Sequence, residues 1–148
     1  MWSQLFAGGL VSFVNFGIHA LITGAIIMAT RHTAARTDHL HVFMRITALL
    51  TVTMIGLMCA HVGEIGVWAA YYGWQGVAPA EITPFEFAFE NYTALGYGQP
   101  TPPPGQRLLG PITSLNGLLL IGWSVAIIFE VMRMAEVQVG RISEPDDS

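Results

Sequence analysis

The sequence predicts an all-α membrane fold. It has three spanning helices and, between the second and third, a short re-entrant helix that runs into a glycine-rich loop. Three observations carry this. The chain is 53% apolar and only 11% charged, against about 25% charged residues in a soluble domain. Its mean hydropathy is +0.53. Three apolar runs, Leu5 to Ala29, Val42 to Tyr72 and Leu108 to Met132, each exceed the roughly 20 residues that a spanning helix needs. The third observation is the stretch "TPFEFAFENYTALGYG", which opens like a helix and closes on two glycines around a tyrosine.

The first run begins after Met1 to Gln4, which carry no Lys or Arg. A cleaved signal peptide wants a positive start and a shorter apolar core, so this run reads as a retained helix. Ser12, Asn15 and His19 fall near one of its faces. It lacks a ladder of arginines, so it is no voltage sensor. The second run is longer than a bilayer core and should tilt or protrude. It carries Thr47, Thr51, Gly56, Ala60 and Gly63, residue types that favour interhelical contacts in membranes. The first run is therefore expected to pack on the second as a peripheral helix. Cys59, the single cysteine, excludes an intrachain disulfide and a Cys-rich metal site and reads as a small packing residue. Trp68, Tyr71, Tyr72 and Trp74 read as an aromatic belt at the outer interface.

Orientation follows from the arginines. Arg31, Arg36 and Arg45 flank the first connection, and Arg133 and Arg141 follow the third run, whereas Arg107 lies on the opposite side. The positive-inside rule puts the first connection and the C-terminus in the cytoplasm and the N-terminus outside. The expected location is a bacterial inner (cell) membrane. A net charge of −4 and the absence of lysine argue against a nucleic-acid partner.

Between the second and third runs, Thr83 is placed as an N-cap, Pro84 as N1 and Glu86 as the N3 partner of a capping box. The helix so started should end at Tyr92 or Thr93 and is too short to span. Its aromatic residues Phe85, Phe87, Phe89 and Tyr92 suggest burial. Irregular backbone survives at membrane depth only where protein buries it or water lines it. Pro100 and Pro102 to Pro104 then stiffen the return to the third run.

"TALGYG", from Thr93 to Gly98, resembles the filter signature of potassium channels, Thr-Val-Gly-Tyr-Gly. The order of helix, short helix, filter and helix resembles the pore domain of the bacterial members of that family, over about residues 42–132. The resemblance implies an outer helix, a pore helix at 84–93, a filter at 94–98 and an inner helix at 108–132. Residues 1–41 lie outside it as an N-terminal helix and connection, and 133–148 form a short cytoplasmic tail. Backbone carbonyls of Ala94, Leu95, Gly96, Tyr97 and Gly98 would bind the permeant ion in place of its water. Glycine at 96 and 98 tolerates the positive φ that such backbone requires. Thr93, Glu90 and Gln99 would support the filter, Glu90 as a buried neutral carboxyl near Gln99. Four copies must surround the ion, so a homotetramer is implied. Ala94 departs from the family's threonine, whose hydroxyl lines the innermost site. Leu95 replaces a valine, and Gln99 an aspartate.

The third run would then be the pore-lining helix. Gly117 and Gly122 are hinge positions or close-packing positions, with neither preferred. Asn116, Thr113 and Ser124 add polarity. Glu130 either rings the inner mouth or pairs with Arg133 at i,i+3. The leading function is a potassium-selective or potassium-preferring channel. It needs no cofactor beyond K+ as permeant ion, performs no covalent chemistry, and has the lipid bilayer and its own copies as partners. The first alternative is a weakly selective cation channel. The second is a membrane metal- or haem-binding protein using His19, His61 and Glu64, because an ionisable residue inside a membrane is a functional candidate by default. Against it, His19 and His61 read as lying at different depths. A structural role, with His61 and Glu64 bonding the short helix, is the favoured reading of that pair.

Overall fold

The computed structural model describes residues 1–96 and 101–143, side chains of 136–143 excepted. The described residues form four α-helices: α1 (Trp2–Arg36), α2 (Val42–Gln75), α3 (Pro84–Tyr92) and α4 (Leu109–Ser143). Three of them are long and apolar enough to cross a membrane, at Trp2–Arg36, Val42–Gln75 and Leu109–Ala135. Phe6, Phe13, Leu21, Met28, Phe43, Met58 and Phe129 are all exposed along them. Such a surface suits lipid, so the chain reads as an integral membrane protein.

All three long helices overrun the apolar runs that announce them. Hydropathy ends where the bilayer ends, but backbone hydrogen bonding continues until a breaker intervenes. No proline or glycine interrupts 30–36 or 133–139, so the helices continue through those polar residues. A helix of 35 residues is about 50 Å long, well beyond the ~30 Å hydrocarbon core.

The chain divides into two compact units. The first comprises Met1–Ala20 with Ala60–Gly122, and the second comprises Leu21–Cys59 with the chain from Trp123 onward. The core of the first joins Ile65, Trp68 and Tyr72 of α2, Phe87, Ala88 and Tyr92 of α3, and Leu109 and Leu120 of α4. Trp68 and Tyr72 are 0% exposed, so they are core residues and no interfacial belt. Their polar ends are taken up within the fold. Trp68 Nε1 donates to Asn116 Oδ1 at 2.9 Å, and the Tyr72 hydroxyl lies 2.6 Å from Thr113 Oγ1. Trp74 alone of the four is fully outward-facing.

The second unit is built on Ile26, Leu49, Leu57, Ile127 and Val131. Gly56 faces Ile26 so closely that a Cβ would sit 2.6 Å from its Cγ1. Thr30 and Thr53 meet there, with hydroxyls 3.3 Å apart. Arg45 bridges Asp38 at 3.1 Å and donates to the Ala34 carbonyl. Arg133 binds both oxygens of Glu130, at 2.8 and 3.0 Å. Cys59 is exposed rather than packed.

Candidate functional site

α3 has the start that its sequence demands. The Glu86 N–H donates to Thr83 Oγ1 at 3.2 Å, and the Thr83 N–H donates to Glu86 Oε2 at 3.0 Å. Both halves of the capping box are present, with Pro84 in the first turn. The Thr83 hydroxyl and backbone N–H hold the exposed Glu86 carboxyl below its ordinary range. Phe87 and Tyr92 are buried, whereas Phe85 and Phe89 are each 44% exposed, with ring centroids 6.2 Å apart. The helix is amphipathic, so only one of its aromatic faces is covered.

α3 ends at Tyr92, as its sequence predicts; the turn that follows is less expected. The Leu95 N–H reaches the Glu90 carbonyl at 3.0 Å, and the Ala94 N–H reaches the Asn91 carbonyl at 3.1 Å. This pair of bonds is a Schellman motif, which requires a left-handed residue at the position of Ala94. Ala94 has φ of +55°, and Gly96 also has φ of +55°. α2 ends with the same 6→1 bond, from Val77 to Tyr72, and has Gly76 in the left-handed position. Positive φ at Gly96 follows from the glycine, whereas at Ala94 nothing in the residue type announces it. Thr93 is exposed and its hydroxyl donates to the Phe89 carbonyl; Glu90 is half-buried. Tyr97, Gly98 and Gln99 lie outside the described residues.

α3 rests on a strip of small α4 residues. The Ser114 hydroxyl donates to the Asn91 carbonyl at 2.6 Å. A Cβ on Gly110 would meet Asn91 Oδ1 at 2.6 Å, and one on Gly117 would overlap the Tyr92 carbonyl. Gly117 is thus a close-packing residue in this conformation. Gly122 has nothing within 4 Å of its virtual Cβ. Gly110 and Ser114 escaped the sequence reading, although the spacing of small residues at 110, 114 and 117 was visible as one helical stripe. Gln4 of α1 holds the chain entering α4, donating to the Gly105 carbonyl and accepting the Leu108 N–H at 3.1 Å.

Behind Tyr92 lies a buried polar cluster. Glu64 is 0% exposed. His19 Nδ1 lies 2.7 Å from its Oε1, and His61 Nδ1 lies 3.1 Å from its Oε2. The Tyr92 hydroxyl donates to Oε2 and lies 2.9 Å from His61 Nδ1. Asn15 Nδ2 donates to the Glu64 carbonyl at 3.2 Å and to Asn116 Oδ1 at 3.1 Å. His61 and Glu64 therefore do bond α3. The two histidine rings, expected at different depths, have centroids 5.6 Å apart. The correction comes from counting from the short connection. His19 lies 36 − 19 = 17 residues before the end of α1, and His61 lies 61 − 42 = 19 residues after the start of α2. Two residues of difference is about 3 Å of rise. One donor atom from each of His19, His61 and Glu64 lies within 4.8 Å of the others.

Against this geometry, no protein-family model, no curated protein and no solved structure matches the chain.

Proposed function

We propose that the chain is the subunit of a tetrameric, potassium-selective or potassium-preferring channel. α3 acts as a pore helix, and the carbonyls from Ala94 to Gly98 form the ion path. The observation that carries this is a helix of nine residues, capped at both ends, that delivers the chain directly into Leu95 and Gly96. A helix this short has no use as a span. Its C-terminal end carries partial negative charge, which favours a cation just beyond it. Its anchorage through Tyr92 and the Gly117 contact fixes where that end lies. The exposed Phe85, Phe89 and Leu95 supply apolar surface for neighbouring copies. The N-terminus faces outward and the C-terminus faces the cytoplasm of a bacterial cell membrane.

The test is flux of K+ through purified protein in liposomes, repeated with Na+, beside a mass measurement in detergent. A tetramer passing K+ well above Na+ is expected. Equal K+ and Na+ flux would leave a weakly selective cation channel. No flux from a folded tetramer, or a conducting monomer or dimer, would overturn the proposal.

A further inference from the structure

We propose that His19, His61 and Glu64, with the hydroxyl oxygen of Tyr92, form a binding site for one first-row divalent transition cation, with Zn2+ as its best occupant. The site stands on its own geometry and does not depend on the channel reading.

Convergence of lone pairs is the first argument. Glu64 Oε2, His61 Nδ1 and the Tyr92 oxygen lie mutually within hydrogen-bond distance. Three contacts in a triangle need three protons for full satisfaction. Tyr92 brings one, and His61 Nδ1 brings at most one. With His61 Nδ1 unprotonated its lone pair faces those of the carboxylate, and with it protonated a single N–H must serve both oxygens. A cation between them satisfies every lone pair at once. His19 Nδ1, on the other carboxylate oxygen, closes the set.

Distance is the second. Zn2+ bonds to nitrogen and oxygen at about 2.0–2.2 Å, so tetrahedral donors stand roughly 3.4 Å apart. The separations here are 2.7, 2.9 and 3.1 Å. His19 Nδ1 meets the other carboxylate oxygen, and the ligand atoms of His19, His61 and Glu64 lie within 4.8 Å of one another, so side-chain shifts of about an ångström bring the set to that spacing. His61 and Glu64 are three apart on α2 and face the same way.

Chemistry of the donor set is the third. Two imidazoles with a carboxylate suit Zn2+, Fe2+ or Ni2+ and do not suit Mg2+ or Ca2+, which want oxygen ligands. Binding releases the phenolic proton of Tyr92 to solvent, while a neutral imidazole protonated on Nδ1 shifts that proton to Nε2 and an imidazolium releases one, so both histidines coordinate as neutral ligands. Zn2+ with the Glu64 carboxylate and the Tyr92 phenolate is neutral overall, so the buried site carries no net charge. Tyr92 fills the fourth position, the one a catalytic zinc keeps open. The ion then ties α1, α2 and α3 together at the base of the loop at 93–96.

The experiment uses the full chain in detergent, titrated with Co2+ and then with Zn2+. One equivalent of Co2+ per chain, with the intense visible absorption of a four-coordinate site, is expected. Zn2+ should displace it, and excess Mg2+ should not. His19→Gln and Glu64→Gln should weaken uptake by about a hundredfold or more, whereas His32→Gln, exposed in the last turns of α1, should leave it unchanged. X-ray absorption at the zinc edge of the wild type should read nitrogen and oxygen neighbours that include imidazole, with no sulfur; this needs no variant to fold. Overturning results are a folded wild type without stoichiometric uptake, a six-oxygen shell, or uptake that survives Glu64→Gln and is lost with His32→Gln.

Discussion

Replacing Ala94 by glycine should make the protein more stable. Ala94 sits at φ +55° in the turn that ends α3, and its N–H and that of Leu95 are both committed to that turn. An L-residue with a Cβ pays roughly 1–2 kcal/mol for left-handed backbone. Glycine escapes that cost but loses roughly 0.4–1 kcal/mol more through the entropy of the unfolded chain. The net expected gain is about 0.5–1 kcal/mol per chain. For a chain of this size, each kcal/mol moves the thermal midpoint by about 2–4 °C, so Ala94→Gly should raise it by about 1–4 °C, read by circular dichroism in detergent. Threonine should do the reverse, because a β-branched residue at positive φ is a genuine outlier. Ala94→Gly that melts no later than wild type, together with Ala94→Thr that melts no earlier, would refute the left-handed turn and the reasoning built on it.

Gly117→Ala should cost about 1–3 kcal/mol by overpacking, because its Cβ would run into backbone at Tyr92, whereas Gly122→Ala should be neutral or stabilising by up to about 1 kcal/mol from helix propensity; paired thermal melts separate the two. Thr83→Ala should destabilise by about 1 kcal/mol through loss of the cap, seen as an earlier melt. Glu86 contributes with a pH sign: its folded carboxyl is held below the ordinary value, so the contribution is complete above that value and is lost as pH falls through the folded one. Thr83→Ala should accordingly flatten the acid limb of the melting profile.

What was legible in the sequence was local. The capping box of α3 needs only Thr83, Pro84 and Glu86 at fixed spacing, and the helix starts where that spacing says. It ends at Tyr92, where the sequence places its end, but the left-handed turn that follows was hidden, because the usual sign of such a cap is glycine, as at Gly76, and here the residue is alanine. The long helices run past their apolar runs for a different reason: hydropathy reports the surrounding solvent and says nothing about where the backbone ladder stops.

Facing direction is the quantity that hydropathy carries least. In a soluble helix the apolar stripe points to the core, but in a lipid-facing helix both sides are apolar and the stripe vanishes. Trp68 and Tyr72 read as part of an interfacial aromatic belt because they cluster with Tyr71 and Trp74, yet each is enclosed and bonded to α4. The signal that could have corrected this was in the polar residues. Asn15, His19, Glu64, Asn116 and Thr113 are each costly in hydrocarbon without a partner, so they must point inward and toward one another. Counting from the α1–α2 connection brings His19 and His61 level, and the i,i+3 and i,i+7 spacing of His61, Glu64 and Trp68 then marks the inner face of α2. In a chain this apolar, its few polar residues define the core more sharply than its many apolar ones.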